Sequence, residues 1–254
     1  PRRSVGESAP PFARWEEGGG ALKRVQANLK RYRAAVLKAA CEGQLVPTGT
    51  RWKKSDLGEV LTGIEAGRSF RCVERPPTPD EIGVGKVSAV TWGTYDEMNS
   101  KTCLDASRME ERYFVRPDDF LFSRANTIEL IGACVIAKNV TLRVMLSDKI
   151  LRFRFSSCAN PRWVLYWLRS GFGRSEIERL ATGNQDSMRN IGQDRIRQIR
   201  IKLPPLAEQS RIVSEVERRL SVVEEMEATV EANLQRATRL RQSILQRAFA
   251  GELA

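Results

Sequence analysis

Apolar residues follow three different rhythms along the 254-residue chain. From Ala21 to about Cys41, the residues Leu22, Val25, Leu29, Tyr32, Val36 and Ala39 recur at alternating steps of three and four. That spacing predicts an amphipathic helix with a coiled-coil seam. Gly43 and Pro47 mark its end. Residues 51–205 change character. Short β-prone runs (Lys86–Trp92, Arg112–Arg116, Phe120–Ser123, Gly132–Lys138, Lys149–Phe155 and Ile199–Leu203) alternate with Gly, Pro, Asn and Asp, and Pro161–Phe172 reads as one short helix. Ala207–Ala250 then contains neither Gly nor Pro. Val213, Val216, Leu220, Val223, Val230, Leu234, Ala237, Ile244 and Ala248 fit one seam that breaks at Glu227 and Arg241. Such a helix is about 65 Å long, more than a domain of this size needs for its own cover. The expected fold class is α+β: one globular domain over 51–205, a helical segment over 21–45 and a long helix over 206–254. Residues 1–20, rich in Pro, Gly and charge, are expected to form a flexible lead-in.

The two helical segments share a repeat. RYRAAVLKAACEGQL (31–45) aligns without gaps on RLRQSILQRAFAGEL (239–253), with Arg31/Arg239, Arg33/Arg241, Leu37/Leu245, Ala40/Ala248, Gly43/Gly251 and Leu45/Leu253 identical. Shared stop signals in one frame point to duplication, and to a plan of alternating domains and helices.

Composition narrows the chemistry. Lys and Arg number 42 against 31 Asp and Glu, a net +11 that favours a polyanionic partner. The globular segment carries +7, the residues before it +5, and 206–254 is near neutral at −1. The chain contains no histidine, which removes Ser-His-Asp and Cys-His catalysis, HExxH sites and His-bearing zinc fingers. Five cysteines stand at 41, 72, 103, 134 and 158. They form no CxxC pair, so a disulfide framework or zinc ribbon is not expected, and the even spacing of the first four reads as chance because their flanks differ. No apolar run approaches the roughly 20 residues of a membrane span, and the expected location is the cytoplasm. None of the ten lysines has Asp or Glu two positions before it, as a PD…(D/E)xK nuclease needs. Asn160-Pro161-Arg162-Trp163 lacks the second proline of an amino-methyltransferase loop, and no phosphate-binding glycine loop is present. The chain is expected to have no catalytic activity and no metal.

The stretch LPPLAEQSRIVSEVERRLSVVEE (203–225) followed by RLRQSILQRAFAGEL resembles the conserved helical region of type I restriction–modification specificity subunits. FLFSRANTIELIGACVIA (120–137), SAVTWGTYDEMNSKT (88–102), ATGNQDSMRNIGQDRIRQIRIKLPPLAEQ (181–209) and WKKSDLGEV (52–60) fit the same family. The resemblance covers roughly residues 21–254 and implies a C-terminal half subunit: one target-recognition domain for half of a bipartite site in double-stranded DNA, between conserved helices. It implies type I methyltransferase subunits as partners, a translocase/restriction subunit in the full complex, or a homodimer of half subunits, and no membrane. S-adenosylmethionine, ATP and Mg would belong to those partners, leaving this chain without a cofactor. The helix pair would act as a ruler between half-sites. The other reading of the residues is a coiled-coil scaffold whose globular domain binds protein.

Within that frame, Asn184, Gln185, Asp186, Ser187, Arg189 and Asn190 crowd a Gly-flanked loop with side chains that make bidentate base contacts, or that serve turn geometry. Ser123, Arg124 and Asn126 follow an apolar strand and would contact DNA or cap the strand end. Asn99 and Lys101 are favoured over Trp92 and Tyr95, which suit a core. Arg68 and Arg71 are candidate phosphate contacts. On the long helix, Val213, Val216, Leu220, Val223, Val230, Leu234, Ile244 and Phe249 are the expected subunit interface. The first helix would pair antiparallel with it, leaving about 226–250 for another subunit.

Overall fold

A computed structural model describes residues 9–47, 49, 51–91, 93–105, 109–185 and 187–250, with side chains from Gly20 onward except that of Ala248. Trp92, Asp186, the Ala248 side chain and the repeat positions Gly251, Glu252 and Leu253 therefore lie outside the described residues. The chain divides into two compact units, one formed by residues 1–36 and 215–254 and the other by 37–214.

The first unit is a pair of helices. Helix α1 spans Ala9–Glu42 and α6 spans Leu206–Phe249, and each continues into the second unit. Helix α1 thus begins well before Ala21, which corrects the expected lead-in over residues 9–20. Pro10 and Pro11 fall in its first turn, where a missing N–H costs no intrahelical hydrogen bond. The end matches the Gly43 signal. Gly43 has φ +75°, its N–H donates to the Ala40 carbonyl (3.2 Å), and Gln44 N–H donates to Ala39 (2.9 Å). Between the helices, Leu29 packs with Val223 and Val230, flanked by Leu22 and Leu234. Arg33 donates to Glu227 at 2.7 Å, with Glu224 at 3.7 Å. The order of these contacts makes the pair antiparallel. One seam row, Leu29 and Val36, is buried, whereas Val25 and Tyr32 on the other row are 42% and 47% exposed. One facing helix covers one row of a seam and leaves the other to water.

The second unit is built on strands. A four-stranded antiparallel sheet runs β2 (Leu61–Ala66), β10 (Ile150–Phe155), β6 (Phe120–Ser123) and β8 (Cys134–Ile136). Phe120 faces Phe153 in register, their rings stacking at 5.4 Å, and Phe122 stacks on Phe153 at 5.0 Å. A second sheet runs β3 (Cys72–Val73), β5 (Ser100–Cys103), β4 (Ile82–Gly85) and β9 (Arg143–Met145), the last two parallel. Lys86–Trp92 and Arg112–Arg116 were expected as strands; short 3-10 turns stand at Val87–Ala89 and Glu111–Tyr113. Pro161–Phe172 is two helices: α3 (Pro161–Arg169), capped by the Asn160 side chain accepting from Arg162 N–H at 2.9 Å, and α4 (Gly171–Leu180), capped by Ser170.

Helix α3 is buried nearly all round. Trp163 and Trp167 donate their indole N–H to the carbonyls of Lys202 and Arg200, both 3.1 Å, on β13 (Arg200–Leu203). Strand β13 pairs with β1 (Lys53–Asp56). The PPLAEQ motif has a structural role at this point. Gln209, fully buried, accepts from Asn160 N–H (2.7 Å) and donates to the carbonyls of Pro204 (2.8 Å) and Cys158 (3.0 Å). Glu208 accepts from the Trp52 indole at 2.7 Å.

One charged group sits in the interior. Arg152, 1% exposed, lies on β10 between β2 and β6. It is paired with Asp119 at 2.7 Å and Glu65 at 2.9 Å, and it also donates to the carbonyls of Arg112 and Phe114. Burial alone would push the Glu65 carboxyl up, but Arg154 and Arg152 together hold it below the usual carboxylate range. Removing Arg152 would leave the buried Asp119 with only the longer Arg154 contact, at 3.3 Å, as its ion pair. Arg152→Ala is expected to lower unfolding free energy by about 3–5 kcal/mol. Arg152→Met, which keeps the volume, should still lower it while Asp119 stays charged. Urea denaturation read by tryptophan fluorescence measures both.

Candidate nucleic-acid interface

The run TGNQDSMRNIG, expected as a loop, forms a β-hairpin, because its ends find a third strand to pair with. Strand β11 (Thr182–Gln185) pairs with β12 (Met188–Asn190), and β12 pairs in turn with β7 (Ala125–Asn126). Gly183 adopts φ +114°, and a Cβ there would stand 2.6 Å from the Met188 carbonyl oxygen, so no other residue fits without strain. Thr182 Oγ1 donates to the Asn190 carbonyl (3.0 Å), and Arg189 Nη1 donates to the Gly183 carbonyl (2.7 Å).

This small sheet joins two segments more than fifty residues apart in sequence. Arg189 lies opposite Asn126 in register, which places them on one face, and Asn190 lies opposite Ala125. Arg124 donates through Nε and Nη2 to Asn190 Oδ1, both at 3.4 Å, and its own backbone joins Lys149 and Ile191. Asn184, Gln185 and Asn190 are exposed. The Arg189 Nε is buried and has no hydrogen-bond partner among the described residues. The hairpin also carries Met188 at 68% exposure. Sequence reasoning passed over it, although a lone Met in a run of polar residues was the available signal.

The remaining candidates sit elsewhere in the unit. Ser123 is the last residue of β6, whose four side chains are all buried, so it is not presented to DNA. Asn99 is used in a turn, donating to Asp96 Oδ2 (2.5 Å) and accepting from Ser88 Oγ (3.0 Å). Lys101, on β5, pairs with Glu74, which also holds Lys86 at 3.2 Å. Lys101 and Lys86 keep the Glu74 carboxyl below its ordinary range. Arg68 leans over the Tyr113 ring at 5.6 Å and faces Glu110 at 3.5 Å, and Glu110 is already bound to Arg112 at 2.6 Å. Both cations are thus largely answered within the fold. Arg71 is exposed beside β3. Of the eleven candidate DNA contacts, six (Arg124, Asn126, Asn184, Gln185, Arg189, Asn190) come together on one sheet.

The expected subunit interface divides similarly. Val213, Val216, Leu220, Val223 and Val230 are buried within this chain, and Leu234 packs on the α1–α6 pair. This corrects their assignment to a partner: Leu22 and Leu29 of α1 already cover α6 as far as Leu234. Ile244 is half-buried and Phe249 is 89% exposed, with Leu240 at 50%. Among the described residues, no helix is long and apolar enough to cross a membrane, and no group of three or more His, Cys, Asp or Glu could hold a metal ion.

An α+β domain with a polar β-hairpin, inserted between two long helices that pair antiparallel, defines a modular specificity architecture. The chain is homologous to the specificity subunits of type I restriction enzymes, at 29–31% identity over most of its length. It is 31% identical over 239 residues to the EcoKI specificity subunit of Escherichia coli K12, an alignment that covers 89% of this chain and 50% of that relative. The chain thus spans about half the length of this relative. No family model matches it. Among solved structures, its fold is similar to a chain of the type I R-M system solved in a study of complex assembly and conformational transition (TM-score 0.62, 20% identity, 99% of this chain and 61% of that one). It is also similar to the HsdS subunit from Thermoanaerobacter tengcongensis (TM-score 0.54, 22% identity, 96% and 56%).

Gly183→Ala is expected to loosen the hairpin alone. Amide exchange over 182–190 should accelerate at least tenfold, because a non-glycine residue held at such a φ costs about 1–3 kcal/mol. The thermal midpoint should move by no more than about 2 °C. Unchanged exchange over 182–190 would show that the glycine is not needed there.

Proposed function

We propose that this chain reads one half of a bipartite DNA site for a type I restriction–modification enzyme. The observation that supports this best is the convergence of Arg124, Asn126, Asn184, Gln185, Arg189 and Asn190 on the β7–β12–β11 sheet. Arg with Asn or Gln are the side chains that bond guanine and adenine edges in pairs. A two-stranded ribbon is narrow enough to enter the major groove. Exposed Met188 supplies an apolar contact of the kind that suits a thymine methyl. Arg71 and the domain's net positive charge add sequence-independent attraction to phosphates.

In this reading the chain does no chemistry. Methyltransferase subunits, which would carry S-adenosylmethionine, dock through the helices, and a translocase/restriction subunit with ATP and Mg acts in the full complex. The surface left for docking is the distal end of α6, with Leu240, Ile244 and Phe249, since the more proximal seam is already covered. Such an assembly works in the cytoplasm, where the DNA is.

Two sets of variants test this. Arg189→Ala should weaken binding to a selected target duplex by about 1–3 kcal/mol, with little change on random duplex. An equal loss on every sequence would make Arg189 a phosphate contact, and no loss on any would remove the hairpin from the interface. The double variant Leu240→Glu, Phe249→Glu should leave thermal stability and DNA binding intact while weakening assembly with the methyltransferase subunit at least tenfold by analytical ultracentrifugation. Unaltered assembly would place the docking surface elsewhere.

A further inference from the structure

We propose that Cys72 and Cys103 form a redox modification site, closing to a reversible cross-strand disulfide when a low-molecular-weight disulfide is present. They are Cα partners on the antiparallel strands β3 and β5. The next pair along the ladder, Arg71 and Leu104, is hydrogen-bonded through Leu104 N–H to the Arg71 carbonyl at 2.9 Å. Pairs alternate along an antiparallel ladder, so Cys72 and Cys103 occupy a non-hydrogen-bonded position, where Cα atoms stand about 4.5 Å apart and side chains on one face are closest. That separation is within the range a disulfide spans, about 4.4–6.8 Å.

The surroundings favour closure of a protein disulfide at these two sulfurs over the other three. Cys72 and Cys103 are both half-buried, within reach of a small oxidant, whereas Cys41 and Cys134 are fully buried. Cys158 is exposed, but its near neighbour is the Ser156 hydroxyl at 3.0 Å. Each paired thiol makes only a weak contact now, Cys72 Sγ to the Phe70 carbonyl (3.5 Å) and Cys103 Sγ to the Asp105 carbonyl (3.6 Å), so little is lost when it turns toward its partner. Burial pushes the Cys72 thiol up, and the Cys103 sulfur adds to that shift, in keeping with their closeness.

The exchange balances with oxidised glutathione as the oxidant. One cysteine, as thiolate, attacks a glutathione sulfur, breaks its S–S bond and releases one glutathione thiolate. The second cysteine thiolate then attacks the protein sulfur of the mixed disulfide and releases the other glutathione. Two protons leave the protein thiols, two glutathiones are reduced, and the protein gains one S–S bond. The bond would fasten β3, which follows Arg68 and Arg71, to β5, which carries Lys101.

The test uses the full chain carrying Cys158→Ser, incubated with oxidised glutathione and digested under non-reducing conditions. The expected product is one cross-linked peptide pair containing Cys72 and Cys103, lighter by two hydrogens and reopened by dithiothreitol. The thermal midpoint should rise by several degrees, since the bond closes a loop of about thirty residues. With Cys72→Ser added, Cys103 should instead retain a glutathione adduct. Stable glutathione on both cysteines of one molecule, or two thiols that stay free under conditions where Cys158 of the unsubstituted chain reacts, would overturn the proposal.

Discussion

The globular domain is organised around a guanidinium that has no access to water. Arg152 is held by Asp119 and Glu65 and by two carbonyls of the Arg112–Phe114 turn. Burying such a charge costs several kcal/mol, and charge-assisted hydrogen bonds on several sides offset that cost only if every partner stays in place. The partners come from β2, from the turn ahead of β6 and from the 3-10 turn at Glu111–Tyr113, with Arg152 itself on β10 between β2 and β6. Asp119 also accepts from Arg116 N–H at 2.7 Å, which fixes the tight turn where Asp118 adopts φ +65°. One residue therefore sets the register of the central sheet.

That register carries through to the candidate interface. Strand β6 ends at Ser123, and two residues later β7 supplies the edge on which the hairpin pairs. The Arg124 backbone is tied to Lys149 just ahead of β10 and to Ile191 just after β12. The polar side chains of the hairpin are thus set by the central sheet through backbone hydrogen bonds, while their tips remain in water. This arrangement allows the hairpin side chains to differ without disturbing the core that holds them.

Parts of this were legible in the sequence for identifiable reasons. Phe120–Ser123, the helix starting at Pro161 and the long C-terminal helix carry strong local signals: a short apolar run, an Asn-Pro start, and a long stretch free of Gly and Pro. The hairpin was not legible as a hairpin, because its pairing partner lies at 125–126 and its residues read equally as a turn. Nor was the register that sets Cys72 beside Cys103, since only the β3–β5 pairing brings the two together and their even spacing in sequence carried no meaning. The early start of α1 was hidden by Pro10 and Pro11, which a first helical turn tolerates, and by Gly18, Gly19 and Gly20 in its interior. Val230 and Leu234, read as a partner surface, are covered from within the chain by Leu29 and Leu22, because the antiparallel pairing reaches further along α6 than expected. Ser123 is buried and Asn99 is engaged within a turn: residue type reveals what a side chain can bond, whereas burial and neighbours decide what it does bond within the fold.

The central claim is that residues 51–205 specify half of a methylated motif. Mapping methylated bases genome-wide in cells that express this chain with a type I methyltransferase subunit tests it most directly. The experiment is repeated after residues 51–205 are exchanged for the matching segment of a relative. The account predicts a two-part motif of which one half changes and the other is retained. An unchanged motif after the exchange would contradict it.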